Sequence, residues 1–374
     1  MNYKIKSLFK FLKTNSLSRS QLNYDDGNIK NIHYGDIHKI FKTILNCQNE
    51  EIPYINKDVP ENKIKKDFCK DGDLIVADAS EDYEDIGKSI EIFNIQNEKI
   101  VSGLHTIILR SKEKDTFAPM FKGYLFQTEN VKKQIKVYAN GVSVLGIGKK
   151  DISKININIP SFEEQKKIGK FIYQIDKKIE LMEKKHTLYL DIKKYFMKNM
   201  FCNKLNLKPK IRFPEFTEEW VEYKLGDITF IPKKEKIKRL TSNEKLLTVK
   251  LHAKGICVNE NIKPKLSKKG RPYYKRYSNE LLIGRQNFHN GGLGLIPQEL
   301  NGGICSNAIS SFCVKKEKIL LKFLYYNLSR KNYYTYCEKY VGGTGQKEFS
   351  EKQLLKLKVK IPEIAEQKKI IEFL

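Results

Sequence analysis

The sequence predicts an α+β protein in which two related, mixed α/β domains follow one another and each is followed by a long helix. Three observations lead to this prediction: a repeat about 200 residues apart, a heptad pattern after the first copy, and short β-rich segments inside each copy. The two helices are expected to pair as an antiparallel coiled coil, with the second helix truncated. A chain of 374 residues is long enough for two such cores.

The repeat is clearest where each copy ends. Residues 159–168 and 361–370 share seven of ten identities, including Ile-Pro at the start and Gln-Lys-Lys-Ile at the end. The displacement of 202 residues also pairs Tyr138 with Tyr340. Solenoid repeats run only about 20 to 50 residues, so each copy should be a domain with its own core. The predicted segments are 1–160 for the first domain, 161–201 for the first helix, 202–216 for a linker, 217–361 for the second domain and 362–374 for the start of the second helix.

Within each copy, short β-rich runs such as residues 106–109 are separated by Gly, Asn and Asp. Such runs, bounded by turn-forming residues, are typical of short strands. They predict twisted, mostly antiparallel strands in both domains.

The first helix is predicted from its start signal and its period. Ser161 and Glu164 are spaced as a capping box, which satisfies orphan backbone donors at a helix start. The following apolar positions alternate steps of four and three, the pattern of a coiled-coil seam. Its seam includes Ile168, Ile172, Ile175, Ile179, Met182, Tyr189 and Phe196. A helix of this length would span roughly 60 Å, and the open alternative is a long helix packed on its own domain.

The second helix has about 12 residues before Leu374, where the first has about 40. Pairing along most of the first helix should then be lost. We therefore expect an assembly that is impaired or is completed by another chain.

The charge balance suggests the class of partner. Lys and Arg number 70 and Asp and Glu 44, which gives a net charge of +26 and favours an acidic polymer or an anionic surface. No run of about 18 apolar residues occurs and lysines interrupt the first 13 residues, so neither a spanning helix nor a signal peptide is predicted. The expected location is the cytoplasm, without membrane association.

Motifs for catalysis are missing from the sequence. It contains no phosphate-binding loop of the nucleotide-hydrolysing kind, no dinucleotide-binding strand–loop–helix, no base-methylating motif and no metal-type histidine spacing. The seven cysteines form no CxxC pair, which argues against a zinc ribbon. His105 and His289 are expected in turns or in the core. We therefore expect a chain that is not an enzyme and holds no cofactor or metal.

One acidic cluster leaves three interpretations open. It consists of Asp73, Asp78, Glu81, Asp82, Glu84 and Asp85, followed by Lys88. The cluster could be a solvated loop, a loop that accepts hydrogen bonds from cytosine amino groups, or a Mg²⁺ site of a nuclease. The second copy has Arg285 and Asn287 after its equivalent strand, so the two copies should read different things.

Candidate DNA contacts lie in these loops, in basic and aromatic segments and in the glycine turn before each helix. Lys and Arg neutralise phosphates, and glycine allows a backbone to approach DNA closely. The predicted contacts are Asp78, Lys88, Ser143 and Lys149 in the first copy, and Lys269, Arg271, Arg285, Asn287, Thr344, Gln346 and Lys347 in the second.

Taken together, the motifs resemble the specificity (S) subunits of type I restriction-modification systems. The resemblance is carried by the two helix openings after Ile-Pro, by residues 212–216 with Trp220 and 224–227, and by residues 72–78 with 102–106. It implies two target-recognition domains, each reading one half of a split double-stranded DNA sequence. It also implies spacer helices that dock methyltransferase (M) subunits, in a complex with restriction (R) subunits. S-adenosylmethionine, ATP and Mg²⁺ would belong to those partners and not to this chain.

Two other classes of function remain open at this stage. A coiled-coil adaptor would bind no DNA with sequence preference. A metal-dependent nuclease would cut DNA alone with Mg²⁺ and would need Asp78.

Overall fold

The computed structural model describes residues 2–203, 206–241, 244–266, 270–340 and 348–374. It divides into two compact units, Met1–Lys184 and Lys185–Leu374. The division falls inside one long helix, so each unit contains an α/β domain and part of that helix. None of the helices formed by these residues is long and apolar enough to cross a membrane.

The first unit is built from short strands and five short helices. Its strands are β1 (Asn2–Lys4), β2 (Phe9–Leu12), β3 (Leu22–Asn23), β4 (Lys30–Ile32), β5 (Ile44–Asn46), β6 (Tyr54–Ile55), β7 (Leu74–Ala77), β8 (Ala79–Ser80), β9 (Ser89–Phe93), β10 (Ile100–Ser102), β11 (Thr106–Ser111), β12 (Leu145–Gly146) and β13 (Asn156–Asn158). Its helices are α1 (Ile5–Leu8), α2 (Tyr34–Lys39), α3 (Phe121–Gln127), α4 (Glu129–Tyr138) and α5 (Lys149–Ile152). Helix α6 (Phe162–Asn199) begins here and ends in the second unit.

The second unit repeats this plan, with fewer strands among its described residues. Its strands are β14 (Val221–Lys224), β15 (Thr229–Phe230), β16 (Leu247–Val249), β17 (Ile256–Val258), β18 (Tyr273–Lys275), β19 (Leu281–Gly284), β20 (Leu293–Leu295), β21 (Ile304–Ser306), β22 (Ile309–Val314) and β23 (Lys358–Ile361). Its helices are α7 (Leu225–Ile228), α8 (Leu321–Ser329), α9 (Lys331–Cys337), α10 (Glu351–Leu355) and α11 (Ile364–Phe373).

The main sheet of the first unit lies between two apolar cores. Its strand order is β2-β11-β7-β9-β5, antiparallel except for the β5–β9 pair. Along β7, Leu74 and Val76 pack into one core, with α3 and α4, while Ile75 and Ala77 pack into the other. Because successive strand residues point to opposite faces, a sheet covered on both faces needs a continuously apolar strand. This explains the uninterrupted apolar run at residues 74–77.

The corresponding sheet of the second unit has the order β15-β22-β19-β20 and is antiparallel throughout. Leu281 and Ile283 of β19 pack into the larger core, and Leu282 packs into the smaller one. The fold class predicted from the repeat, two tandem mixed α/β domains with a long helix, is confirmed. Pairing of two long helices as a coiled coil stays a prediction.

The glutamine of the repeated helix opening has the same role in both units. Gln165 Nε2 donates to the carbonyls of Pro160 (3.1 Å) and Thr116 (3.2 Å), and Gln165 Oε1 accepts from the Ala118 N–H (3.1 Å). Gln367 makes the three corresponding bonds to Pro362, Lys318 and Leu320. Both glutamines are buried. The two copies are therefore most alike where one glutamine side chain hydrogen-bonds both to the residue before the helix and to a loop of its domain.

The long helix begins where its capping signal predicts. The Glu164 N–H donates to Ser161 Oγ at 3.4 Å, and the helix extends over Phe162–Asn199, close to the predicted 161–201. The chain after the helix then enters the core of the second unit. Phe201 packs edge-on against Trp220 with ring centroids 6.0 Å apart.

Candidate nucleic-acid interface

In the first unit, predicted contact residues collect at the end of β7. The Ala77 N–H donates to the Lys88 carbonyl (2.8 Å), which places Lys88 beside the strand end. The Ile147 N–H donates to the Asp78 carbonyl (2.8 Å), which brings in the segment that leads to Lys149. One end of the sheet thus gathers Asp78, Lys88 and Lys149.

The glycine turn of the first unit lies at the same end. Strand β12 pairs with β8 directly after Asp78, and these two short strands position the turn that contains Ser143. Gly141 has a φ of 131°, a conformation that side chains other than glycine rarely adopt. Ser143 and its neighbour Val142 are fully on the surface, so the turn projects into solvent beside the strand end.

His105, which was not predicted as a site residue, also lies at this end of the sheet. Asp78 Oδ1 lies 3.1 Å from His105 Nδ1, and the His105 ring meets Tyr34 edge-on with centroids 5.2 Å apart. His105 adopts a φ of 53°, which is uncommon for a residue other than glycine and is found at strained functional positions. In the sequence, His105 is recognisable only as a residue directly before a β-rich run, because its pairing with an Asp 27 positions earlier depends on the sheet register.

Charges in the acidic loop are largely paired within the unit. Glu84 Oε1 lies 2.6 Å from Lys136 Nζ, and Asp85 lies 3.7 Å from Lys88 Nζ and 3.9 Å from His38 Nδ1. Within the described parts of the chain, no three His, Cys, Asp or Glu side chains are grouped so that they could hold a metal ion. Nearby, burial lowers the pKa of His33, which favours its neutral form, while the Asp36 carboxylate opposes this shift.

The second unit gathers its predicted residues at the end of β19. Arg285 directly follows this strand, and its guanidinium nitrogen lies 2.7 Å from Glu348 Oε1. Asn287 is exposed in the next turn, where its carbonyl accepts from the Gly292 N–H (2.8 Å). Exposed Arg271 belongs to the same region, because the neighbouring Pro272 carbonyl accepts from the Asn307 N–H (3.1 Å) beside this strand end. Lys269, Thr344, Gln346 and Lys347 lie outside the described residues.

Apolar residues predicted for subunit docking divide into packed and exposed sets. In the first unit Ile168 packs on the core, whereas Ile175, Ile179 and Met182 are 42%, 49% and 58% exposed. Ile172 is half-buried. In the second unit Tyr189 is 57% exposed, and Phe196 packs on the core and on Phe373 with ring centroids 4.7 Å apart.

Similarity to known proteins identifies the family. The model of the family described as "Type I restriction modification DNA specificity domain" matches residues 1–188 and 217–374. The chain belongs to this family. The family match agrees with the resemblance to specificity subunits that the sequence motifs carry.

Individual relatives agree with the family match. The chain is 27% identical over 265 residues to the type I restriction enzyme MjaVIII specificity subunit of Methanocaldococcus jannaschii. That match covers 67% of this chain and 61% of the relative, so the chain spans less than two thirds of that subunit's length. In fold it is similar to the crystal structure of a type I restriction-modification system S subunit from M. genitalium, with a TM-score of 0.57 and 14% identity. This fold match covers all of the present chain and 87% of the other.

Proposed function

We propose that the chain is the specificity subunit of a type I restriction-modification complex and recognises a bipartite double-stranded DNA site. The observation that carries the proposal is that polar and basic residues gather at the same strand end in both units. In each unit this end follows an inner strand buried on both faces, which is a rigid support for loops that read DNA. Different side chains on equivalent supports would read different half-sites.

Direct readout requires hydrogen-bonding side chains that reach base edges, and phosphate contacts fix the register of the protein. Asp78, Arg285 and Asn287 supply the first kind of group, and Lys149 and Arg271 supply the second. The net charge of +26 favours binding to a polyanion such as DNA. These residue roles are part of the proposal, and the complex would act in the cytoplasm.

We further propose that helix α6 docks the methyltransferase subunits of that complex, to which the restriction subunits also bind. Large apolar residues on a solvent-exposed helix face are typical of protein–protein interfaces. The contact of α11 with α6 supports an antiparallel pairing, since Phe373 meets Phe196 while the Leu374 carbonyl accepts from Lys193 Nζ (2.9 Å). Moving from Phe373 to Leu374 along α11 thus changes the partner from Phe196 to Lys193, which comes earlier in α6.

Docking is tested by co-purification of the chain with its methyltransferase subunit. Replacement of exposed Ile175 and Met182 by Gln should reduce the recovered subunit about tenfold or more, because central apolar contacts dominate binding free energies. The control Lys170→Ala changes an exposed residue on another face of the same helix and should leave recovery unchanged. Equal recovery with the Gln variant would contradict docking through this face.

DNA recognition is tested with the reconstituted complex in competition binding. A preferred split duplex should compete at least about a thousandfold better than random DNA at moderate salt, the usual margin between specific and non-specific binding. Assembly without any sequence preference would instead identify the chain as an adaptor.

A further inference from the structure

Asp78 and Arg285 occupy the same position in the two units. The Asp78 N–H donates to the His105 carbonyl (3.0 Å), and the Asp78 carbonyl accepts from the Ile147 N–H (2.8 Å). Arg285 makes the corresponding pair of bonds, to the Ala308 carbonyl (3.0 Å) and from the Phe349 N–H (3.0 Å). The register of the neighbouring strands agrees, since Leu74 pairs with Leu109 as Leu281 pairs with Phe312. The backbone therefore aligns these two residues.

The side chains at this shared position have opposite charge and opposite hydrogen-bonding character. An ionised Asp accepts hydrogen bonds and donates none, whereas Arg donates and accepts none. Each is held by a partner of the opposite kind: Asp78 by His105 at 3.1 Å and Arg285 by Glu348 at 2.7 Å. The two units thus present one oriented acceptor and one oriented donor on equivalent supports.

Both side chains remain accessible after these contacts. The side chain of Asp78 is 30% exposed and that of Arg285 is 25% exposed. Nε of Arg285 is buried and has no hydrogen-bond partner among the described residues. The terminal guanidinium nitrogens, and not Nε, are therefore the donors that a base could reach.

We propose that Asp78 and Arg285 are corresponding base-reading positions with inverted preference, an inference that rests on the proposed function. Asp78 accepts from the exocyclic amino group of a cytosine in one half-site, and Arg285 donates to O6 and N7 of a guanine in the other. His105 and Glu348 are positioning residues, since each contacts the reading side chain and fixes its direction. The pairing of Glu84 and Asp85 with lysines reduces the repulsion that the neighbouring loop would exert on phosphates.

The experiment maps methylated motifs at base resolution in cells that co-express the full chain with its methyltransferase subunit. Asp78→Asn should change one position of one half-site, with methylation of the original cytosine-containing motif reduced about tenfold and adenine accepted there. Arg285→Gln should change one position of the other half-site from guanine towards adenine, because Gln pairs with adenine N6 and N7. In each variant the second half-site should stay unchanged, which shows that the complex still assembles.

Control variants distinguish a loss of base reading from a general effect of charge or a failure to fold. Glu81→Gln and Lys316→Gln each remove one exposed charge from the unit concerned and should leave the motif intact. If a primary variant abolishes all methylation, His105→Asn or Glu348→Gln is mapped in its place, because the reading side chain then remains. A change confined to the same half-site supports the assignment.

Two negative outcomes are distinguishable. An unaltered motif in both Asp78→Asn and Arg285→Gln, or in the replacement variants, would overturn the assignment alone. A wild-type chain that yields no split motif would overturn the proposed function and, with it, this assignment.

Discussion

The ion pair of Arg212 with Glu366 connects two sequence motifs of the second unit. Arg212 Nε and a terminal nitrogen each donate to one Glu366 oxygen at 2.8 Å, and Trp220 Nε1 donates to Glu366 Oε1 at 3.3 Å. The hydrogen bonds that Arg212 donates to Glu366 raise the pKa of Arg212 above its already high value. The Glu366 side chain is only 1% exposed, so the carboxylate depends on these donors in place of water.

We predict that Glu366→Gln lowers the free energy of unfolding of the second unit by about 3 kcal/mol, because removal of one partner leaves a largely buried charge unpaired. Denaturant unfolding followed by the fluorescence of Trp220, the single tryptophan, measures this loss. The double variant Arg212→Met, Glu366→Gln should lose less than the single one, since neither charge then remains. A double variant that loses the sum of both single effects would show that the two residues do not act as a pair.

The roles of single residues were harder to predict from the sequence than the secondary-structure elements. Glu366, Glu348 and His105 were not singled out as site residues, because their partners lie at distant positions that only the tertiary fold brings together. The sequence placed Arg285 after a strand equivalent to residues 74–76, but only the backbone hydrogen bonds of the structure align Arg285 with Asp78 itself. These residues are 207 positions apart, whereas the helix openings are 202 apart, so an alignment at the main displacement misses it.

At the scale of elements, the long helix carries a local network at Glu180. Its carboxylate accepts from Lys184 Nζ (2.7 Å) and from Lys177 Nζ (2.9 Å), one turn away on either side. These hydrogen bonds lower the pKa of Glu180 to about 2. A carboxylate with a depressed pKa stabilises the folded state above its unfolded pKa, and that contribution disappears as the pH falls through the folded pKa.

We therefore predict that the stability difference between wild type and Glu180→Gln is constant above about pH 5 and shrinks as the pH approaches 2. Urea unfolding at a series of pH values, followed by far-ultraviolet circular dichroism, measures this difference. A difference that does not change with pH would show that the network contributes nothing through charge.

The repeated glutamine permits a matched prediction in both units. Gln165→Ala and Gln367→Ala should each destabilise their own unit by about 2 kcal/mol, because a buried N–H and two carbonyls lose their partner. Hydrogen exchange resolved by peptide assigns each loss to its unit. Exposed Lys166→Ala and Lys368→Ala serve as controls and should lie within about 0.5 kcal/mol of wild type. Similar losses in the lysine variants would mean that the glutamine bonds are not responsible.

Elements were predicted better than residues, for a physical reason. The bounds of helix α6 followed from its cap and its apolar period, which are local signals. The β-rich run at 106–109 likewise lies inside strand β11. The parallel β5–β9 pair and the sheet formed by β10, β4, β6 and β3 were not predicted, since strand partners depend on contacts that are distant in sequence.

At the scale of the whole molecule, the positive charge should set the salt dependence of DNA binding. Each neutralised phosphate adds about 0.9 to the slope of log affinity against log salt concentration. We predict that Arg271→Ala in the assembled complex weakens binding to all sequences alike and reduces this slope by about one. Fluorescence anisotropy at a series of salt concentrations from low to moderate measures the affinity and its slope, with Lys178→Ala as control. An unchanged slope would remove Arg271 from the phosphate contacts.

The central claim is that two domains of one chain each read half of a split DNA sequence. Base-resolution methylation mapping of DNA from cells that co-express the wild-type chain with its methyltransferase subunit tests it most directly. We expect a methylated motif of two specific parts separated by a fixed, unread spacer. A continuous motif, or methylation that depends on the methyltransferase but not on this chain, would contradict it.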